Sequence, residues 1–247
     1  MKTNYHGHTR YCNHGTGEIE DHIKAAIDTG LEVTSITEHV PFPEGYTNAF
    51  RMKLEDTDWF MDELERCKEY YKDDIKVLKA FECEYITEFI YHYKDLKSKY
   101  NLDFLILGHH YNDPYDTNQY FFLYDETHIS RYVDEVIEAI KTELFDFIAH
   151  PDIFVMHLEK TEGTIKEINR LLKVVEQYDI PIEFNANGFR HKKGYPKQFF
   201  WEEVKKYNIR VLINSDAHEP KEVYDQACDQ TYALAAKWGI KITEYMN

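Results

Sequence analysis

The amino-acid sequence predicts an α/β fold in which seven parallel strands close into a barrel. Short β-rich runs alternate with helical stretches seven times along the chain, and this alternation is typical of parallel strands joined by crossover helices. The length of 247 residues suits one barrel of this kind. No low-complexity segment, linker or repeat marks a second domain, so we expect a single domain over residues 1–247.

The candidate strands are short runs rich in β-branched and aromatic residues. They are Thr3–His6, Val33–Thr37, Lys76–Phe81, Phe104–Leu107, Phe145–Ala149, Pro181–Phe184 and Arg210–Ile213. The candidate helices between them carry apolar residues at helical spacing, for example Phe60, Leu64 and Cys67. These helices are Ile19–Asp28, Asp58–Tyr71, Glu88–Tyr100, His128–Glu143, Thr164–Tyr178, Lys197–Tyr207 and Pro220–Trp238.

Two connections are long for loops between a strand and a helix, namely Val40–Thr57 and Tyr111–Thr127. Both follow candidate strands on the carboxyl-terminal side, where barrel enzymes carry their active sites. We therefore predict that these loops act as lids or specificity loops.

Composition and charge exclude several classes of protein. The formal net charge of −16 argues against non-specific binding of nucleic acid, which requires a basic surface. No apolar run has the roughly 18 residues of a membrane-spanning helix, and no secretory signal is visible. The four cysteines are far apart and form no CxxC pair. We expect a cytoplasmic protein that binds neither nucleic acid nor membrane.

Almost every candidate strand ends in side chains that can bind a metal ion. These residues are His6, His8 and His14 at the first strand, Glu38 and His39 at the second, Glu82 at the third, His109 and His110 at the fourth, His150 at the fifth, and Asp216 and His218 at the seventh. Side chains two positions apart on a strand point to the same face, so pairs such as His6 and His8 can reach one ion. Imidazole and carboxylate together suit zinc, manganese or iron.

Other histidines have a simpler interpretation. His22, His92 and His128 lie in charged helical stretches and are predicted to be surface residues. His157 and His191 lie in loops and are either solvated or face a substrate. The regular occurrence of ligand-type residues at strand ends therefore predicts a site for several metal ions.

The strand-end residues together resemble the PHP (polymerase and histidinol phosphatase) family. The resemblance extends over almost the whole chain, through His6-Gly7-His8, Thr37-Glu38-His39 and Ser215-Asp216-Ala217-His218. Cys12-Asn13-His14-Gly15-Thr16 and Thr37-Glu38-His39-Val40-Pro41 are most similar to the histidinol-phosphate phosphatase branch. The resemblance implies a distorted, TIM-like (β/α)7 barrel of parallel strands.

Three divalent or trivalent metal ions, of zinc, manganese or iron, are implied by the resemblance. His6, His8, Glu82 and Asp216 would hold the first ion. Glu82 would bridge to a second ion, completed by His110 and His150, and His109 is the alternative to His110. His14, His39 and His218 would hold the third ion.

The activity implied is hydrolysis of a small phosphate monoester, most closely L-histidinol phosphate to L-histidinol and phosphate in histidine biosynthesis. A metal-bound hydroxide would be the nucleophile. Glu82, Asp216 and Arg190 are the predicted catalytic residues, Asp216 also orienting the nucleophile or accepting its proton. Arg190, Lys192 and Arg10 are predicted to bind the substrate. Lys193 follows Lys192, and the alternative for these two lysines is a solvated basic turn. Glu38 is either a partner of a ligand or a solvent-facing carboxylate.

Other functions remain open at the level of the sequence. One is a phosphoesterase of the same family that acts on a nucleotide, a sugar phosphate or a nucleic-acid end. A second is a non-catalytic metal-binding barrel, and a third is an amidohydrolase-like enzyme. Glu82 disfavours the third, because amidohydrolases usually have a lysine as the bridge.

Overall fold

A seven-stranded parallel sheet forms the centre of the computed structural model, which describes residues 1–46, 49–111 and 128–246. The strands follow one another in the order of the chain, and each is parallel to its neighbours. The strands β1 to β7 are Thr3–Asn4, Val33–Ile36, Lys76–Cys83, Phe104–Leu107, Phe147–Ile148, Ile182–Asn185 and Val211–Asn214. The predicted α/β barrel of parallel strands is confirmed.

Helices cover the outside of the sheet. The helices α1 to α8 are Ile19–Asp28, Thr57–Tyr70, Ile90–Lys99, Ile129–Lys141, Glu162–Gln177, Ala186–Arg190, Gln198–Val204 and Gln226–Trp238. Short 3₁₀ turns lie at Arg10–Cys12, Leu54–Asp56, Thr87–Phe89, Ile153–Val155 and Pro220–Glu222. None of the helices within the described ranges is both long and apolar enough to cross a membrane.

Two helical elements differ from the sequence prediction. The last helix begins at Gln226 and not at Pro220, because the Asp225 side chain accepts a hydrogen bond from the Cys228 N–H and caps α8 there. The short helix α6 directly follows β6 and was not predicted. It begins where the Asn185 side chain accepts a hydrogen bond from the Gly188 N–H. The predicted loop Tyr111–Thr127 lies outside the described residues from position 112 onward.

The barrel closes between the first and last strands at their carboxyl-terminal ends. Gly7 and Ala217 form a parallel bridge, and the His8 N–H donates to the Ala217 carbonyl at 2.7 Å. The Asp216 N–H donates to the His6 carbonyl at 3.0 Å. These backbone bonds bring the first and last metal-ligand motifs of the sequence to one place.

The interior of the barrel changes from apolar to polar along the strands. Leu78 and Ala80 of β3 belong to a buried apolar cluster that also contains Phe104, Ile106 and Leu212. Side chains alternate between the two faces of a strand. The next inward positions beyond this cluster are therefore occupied by Glu82 after Ala80, Gly108 after Ile106, and Asn214 and Asp216 after Leu212. The apolar cluster supports a polar layer at the carboxyl-terminal end.

Candidate metal centre

Four ligand-type side chains converge where β1, β3 and β7 end. Nε2 of His6 and Nε2 of His8 lie 3.0 Å apart. Oδ1 of Asp216 lies 3.6 and 3.4 Å from these two nitrogens, and Oε2 of Glu82 lies 3.4 and 3.3 Å from them. Two atoms that are each about 2.1 Å from one ion can be at most about 4.2 Å apart. The four side chains are therefore spaced as ligands of a single ion.

The Glu82 carboxylate lies between two groups of imidazoles. Its Oε2 faces His6 and His8, whereas its Oε1 lies 3.0 Å from Nε2 of His150 and 3.7 Å from Nε2 of His110. Glu82, His110 and His150 are spaced closely enough to hold one ion. A single carboxylate thus contacts two adjacent ligand sets, as a bridging ligand must.

The fourth-strand histidines have different environments. His110 faces Glu82, while Nε2 of the buried His109 lies 2.9 Å from Oε2 of Glu135 on α4. Of the two residues that the sequence left as alternatives, His110 is therefore the one that the structure places in the cluster.

A third group of imidazoles lies at the cavity side of the centre. Nδ1 of His14 contacts the Cys12 carbonyl at 2.8 Å, and Nδ1 of His218 contacts the Asp216 carbonyl at 3.1 Å. A carbonyl oxygen can only accept a hydrogen bond, so both rings donate from a protonated Nδ1 and carry their lone pairs on Nε2. These two Nε2 atoms face each other at 2.9 Å. Two lone pairs at this distance repel unless a cation lies between them.

The grouping around His218 differs in detail from the predicted set of His14, His39 and His218. His218 is close enough to share an ion with His8 and His39, and separately with Cys12 and His14. The His14 and His39 rings are stacked with their centroids 5.5 Å apart. All three predicted side chains therefore lie together, with His218 common to both groups.

Charge and burial in the centre favour bound cations. Burial alone would raise the pKa values of Glu82 and Asp216, but the nearby imidazoles, His6 foremost, hold both well below their ordinary values. Burial lowers the pKa values of His39 and His218, which keeps these rings in the neutral form that binds metals. At His8, burial opposes protonation, yet contacts with Asp216 and Glu82 raise the pKa to about 9. The carboxylates thus attract positive charge to the position between the rings.

Three polar residues that the sequence did not single out orient the ligands. The Glu183 carboxylate is fully buried, and it contacts Nδ1 of His6 at 2.9 Å and accepts the His150 N–H at 2.9 Å. The Asn185 and Asn187 amides both donate to Oδ2 of Asp216, at 3.1 and 3.0 Å. Oδ1 of Asp216 is thereby left to face the histidines. Glu183 and Asn185 are two positions apart on β6 and therefore share one face of the strand. This spacing is the feature of the sequence that could have indicated their position.

Two of the predicted ligands have backbone conformations that are unusual for residues other than glycine. His150 has φ 30° and Asp216 has φ 46°. Such left-handed conformations cost of order 1–3 kcal/mol and are concentrated at functional sites. Each lies two positions after the end of a strand, where the chain must turn while the side chain stays directed at the centre.

A cavity of about 450 Å³ opens onto the centre. Beside the ligands it is lined by apolar and aromatic side chains, among them Phe50, Tyr111 and Tyr195. Lys192 and Lys193 also line it and are exposed to solvent. The cavity therefore combines an apolar wall with positive charge beside the ligand cluster.

The structure does not place Arg190 or Arg10 in this cavity. The Arg190 guanidinium donates to Asp225 at 2.8 Å and to the Ser215 carbonyl at 3.0 Å, because the turn of α6 directs it toward α8. Nε of Arg10 donates to Glu18 at 2.6 Å at the surface. Of the three residues predicted to bind substrate, only Lys192 lines the cavity. The substrate contacts of Arg190 and Arg10 stay predictions.

Glu38 is buried and not solvent-facing. Its Oε1 accepts hydrogen bonds from the Thr9 N–H at 2.7 Å and the Thr9 hydroxyl at 2.6 Å. Its Oε2 lies 3.9 Å from Nδ1 of His8. Burial raises the pKa of Glu38 to about 7. The interpretation of Glu38 as a neighbour of a ligand is therefore the better one.

The remaining histidines also differ from one another. His22 is 2% exposed and its Nε2 contacts the Thr16 carbonyl at 2.9 Å, so the prediction of a surface position was wrong. His157 lines the cavity, whereas His191 lies 3.6 Å from Glu222 outside it. The inner face of α1 carries His22 toward the loop that holds His14.

Asp152, two positions after His150, gives a pH-dependent prediction. Its Oδ2 accepts the Lys197 N–H and the Trp201 indole N–H, while its buried Oδ1 has no hydrogen-bond partner among the described residues. Burial raises its pKa from 3.8 to about 6. Between these values the folded chain binds a proton that the unfolded chain has released, so stability falls as pH rises through this window.

We expect Asp152→Asn to remove this loss in the metal-free protein. Between pH 4 and pH 7 the wild type should lose up to about 3 kcal/mol relative to the variant, since each pH unit contributes about 1.4 kcal/mol. Urea unfolding at a series of pH values measures the difference. Parallel pH profiles of the two proteins would contradict the assignment.

The chain is similar to known proteins over most of its length. A family model described as PHP domain matches residues 4–187. A probable histidinol-phosphatase of Deinococcus radiodurans is 26% identical, covering 96% of this chain and 94% of the relative. A probable histidinol-phosphatase of Schizosaccharomyces pombe is 27% identical, covering 90% of this chain and 82% of the relative.

Among solved structures, the fold is similar to histidinol phosphate phosphatase from Lactococcus lactis subsp. lactis in complex with zinc, L-histidinol and phosphate. The TM-score is 0.77 at 20% identity, covering 98% of this chain and 95% of that chain. At this identity the likeness shows the fold of the chain.

Proposed function

Because the chain belongs to the PHP domain family, we propose that it is a metal-dependent phosphatase that hydrolyses L-histidinol phosphate to L-histidinol and phosphate. The observation that carries the proposal is the Glu82 carboxylate, which contacts two neighbouring sets of ligand-type side chains beside a cavity with exposed lysines. The relatives that this chain matches over most of their length are named as probable histidinol-phosphatases, which supports the proposed substrate.

The donor set fits divalent or trivalent ions. Nitrogen and carboxylate oxygen suit zinc, manganese and iron, and the facing Nε2 atoms of His14 and His218 are close enough to share one cation. We propose that His6, His8, Glu82 and Asp216 hold one ion, that Glu82, His110 and His150 hold a second, and that His14, His39 and His218 hold a third. When bound, such ions supply a nucleophile at neutral pH by lowering the pKa of water toward about 7.

The residues of the chain bind and orient the reacting groups. Glu82 holds the first two ligand sets together, and Asp216 offers only Oδ1, because Asn185 and Asn187 occupy Oδ2. We assign phosphate binding to Lys192 together with Lys193 at the cavity wall. The aromatic wall of Phe50, Tyr111 and Tyr195 would contact the leaving group and exclude water from it.

We further propose that residues 1–247 form a single phosphoesterase domain that acts in the cytoplasm. The parallel sheet runs from β1 at Thr3 to β7 at Asn214 and supports one domain.

A screen of purified protein over phosphate monoesters tests the proposed function. The protein loaded with zinc or manganese should hydrolyse L-histidinol phosphate with a kcat/KM at least about tenfold above that for nucleotides and sugar phosphates. Dialysis against a chelator should abolish the activity, and added metal should restore it. A preference for another ester would overturn the assigned substrate, and activity that survives complete metal removal would overturn the metal-dependent reaction.

A further inference from the structure

Glu84 is a buried carboxylate whose partners are all hydrogen-bond donors. It directly follows β3 and is 1% exposed. Its Oε1 lies 2.8 Å from Nδ1 of His110 and 3.0 Å from a terminal guanidinium nitrogen of Arg51. Its Oε2 accepts the backbone N–H of His110 at 2.7 Å. An ionised carboxylate satisfies three donors at once, because it can only accept.

This arrangement decides which nitrogen of His110 carries the proton. An imidazole that contacts a carboxylate through Nδ1 is protonated there, and its lone pair then lies on Nε2. Nε2 of His110 is the atom that faces Oε1 of Glu82, at 3.7 Å. Glu84 therefore holds the ring in the tautomer and orientation that a metal ligand needs.

Arg51 makes the buried charge on Glu84 tolerable. The Arg51 side chain is 3% exposed, its Nη1 donates to the Val40 carbonyl at 3.2 Å, and its guanidinium carbon lies 4.1 Å from the centre of the Phe42 ring. A buried carboxylate without a compensating charge is strongly unfavourable. Arg51 comes from the long connection between β2 and α2, so a residue of that loop acts on the end of β4.

The same loop reaches two other parts of the centre. Phe50, the neighbour of Arg51, lines the cavity, and the Arg51 carbonyl accepts a hydrogen bond at 2.6 Å from Asn13, the neighbour of His14. Arg51 is therefore connected to the cavity wall and to the loop that carries a ligand of the third set.

We propose that Arg51 and Glu84 are a positioning pair that fixes His110 as the Nδ1–H tautomer and thereby sets the affinity of the second ligand set. The proposal rests on the proposed function in one respect, namely that Glu82, His110 and His150 bind a metal ion. Neither Arg51 nor Glu84 lines the cavity, so the pair acts through His110.

The test compares Glu84→Gln with Glu135→Gln. A glutamine side chain in place of Glu84 must direct its NH2 group at one of three donors, so it cannot replace the carboxylate. Glu135→Gln is the matched control. It changes the analogous contact of the neighbouring His109, whose Nε2 lies 2.9 Å from Oε2 of Glu135. Zinc titration by calorimetry should show a roughly 10–100-fold weaker site in Glu84→Gln and wild-type binding in the control. Wild-type zinc affinity and stoichiometry in Glu84→Gln would overturn the proposal.

Variants that keep or remove the positive charge of Arg51 test its contribution. Arg51→Lys keeps the positive charge and should retain more zinc at the second set than Arg51→Met. If a single variant does not fold, the double variant Arg51→Met with Glu84→Leu removes both charges together, which buried ion pairs often tolerate. A folded double variant with full zinc affinity would show that the pair is only structural and would overturn the proposal.

Nitrogen-15 NMR of the metal-free protein separates this inference from the proposed function. The wild type and Glu135→Gln should show His110 protonated at Nδ1, and Glu84→Gln should show a mixture of tautomers or the other one. This readout needs neither metal nor substrate. A wild-type protein that fails to hydrolyse phosphate esters would overturn the proposed function alone, whereas an unchanged His110 tautomer in Glu84→Gln would overturn the positioning pair alone.

Discussion

Replacing Glu82 by glutamine is expected to lower kcat/KM for the phosphate ester by at least about 10³-fold, equivalent to about 4 kcal/mol of transition-state stabilisation. The carboxylate is 1% exposed and has one oxygen at each of two ligand sets. Glutamine has the same shape but no negative charge, and only one of its terminal atoms can accept. Both neighbouring sets should therefore bind metal more weakly, and elemental analysis should show a loss of at least one equivalent.

The matched control for this change is Glu88→Gln. Glu88 follows β3, in the turn before α3, and is exposed. Its replacement should leave metal content and activity unchanged. Full metal content together with full activity in Glu82→Gln would show that the bridging assignment is wrong.

Replacing Gly108 by alanine is expected to have an effect of similar size although it removes no ligand. A Cβ at this position would lie 2.5 Å from both Cγ and Cδ of Glu82, and closer still to its Oε1. Because Glu82 is enclosed by His6, His8 and His150, its carboxylate cannot move aside without leaving one ligand set. We expect loss of metal and a decrease in kcat/KM of about 10²–10³-fold, since misplacement of a reacting group by about 1 Å can cost about 10²-fold.

Gly7→Ala is the control for the glycine change. Gly7 lies between the proposed ligands His6 and His8, but the nearest atoms to a Cβ there are 3.7 Å away, which is an ordinary contact. Metal content and kcat/KM measured side by side should fall in Gly108→Ala and stay near wild type in Gly7→Ala. Equal behaviour of the two variants would mean that the close approach of Gly108 to Glu82 does not matter.

The ligand-type residues could be predicted because their positions follow from a general property of barrels. The carboxyl-terminal ends of parallel strands meet at one rim, so strand-end residues such as Glu82, His150 and Asp216 had to lie close together. The paired spacing in His6 and His8 adds that both side chains share one face. Strand order and direction were predictable for the same reason, since consecutive strand–helix units favour parallel neighbours.

The residues around the ligands could not be predicted in this way. Glu84 and Arg51 are 33 positions apart and meet only after the loop between β2 and α2 folds over the end of β3. The direction of the Arg190 side chain depends on α6, and that helix begins with a cap formed by the single side chain of Asn185. Such contacts depend on the packing of particular side chains, which no periodicity in the sequence encodes.

The closure of the barrel between β1 and β7 has a consequence for protein synthesis. The first ligand set combines His6 and His8 with Asp216, about 210 residues later in the chain. At typical synthesis rates of about 5–20 residues per second, the two histidines are made roughly 10–40 s before their carboxylate partner. The first set therefore cannot be completed while the chain is still being translated through its middle. In the proposed arrangement the first set is therefore complete only after the last strand has folded, and the protein can become active only once translation has passed Asp216.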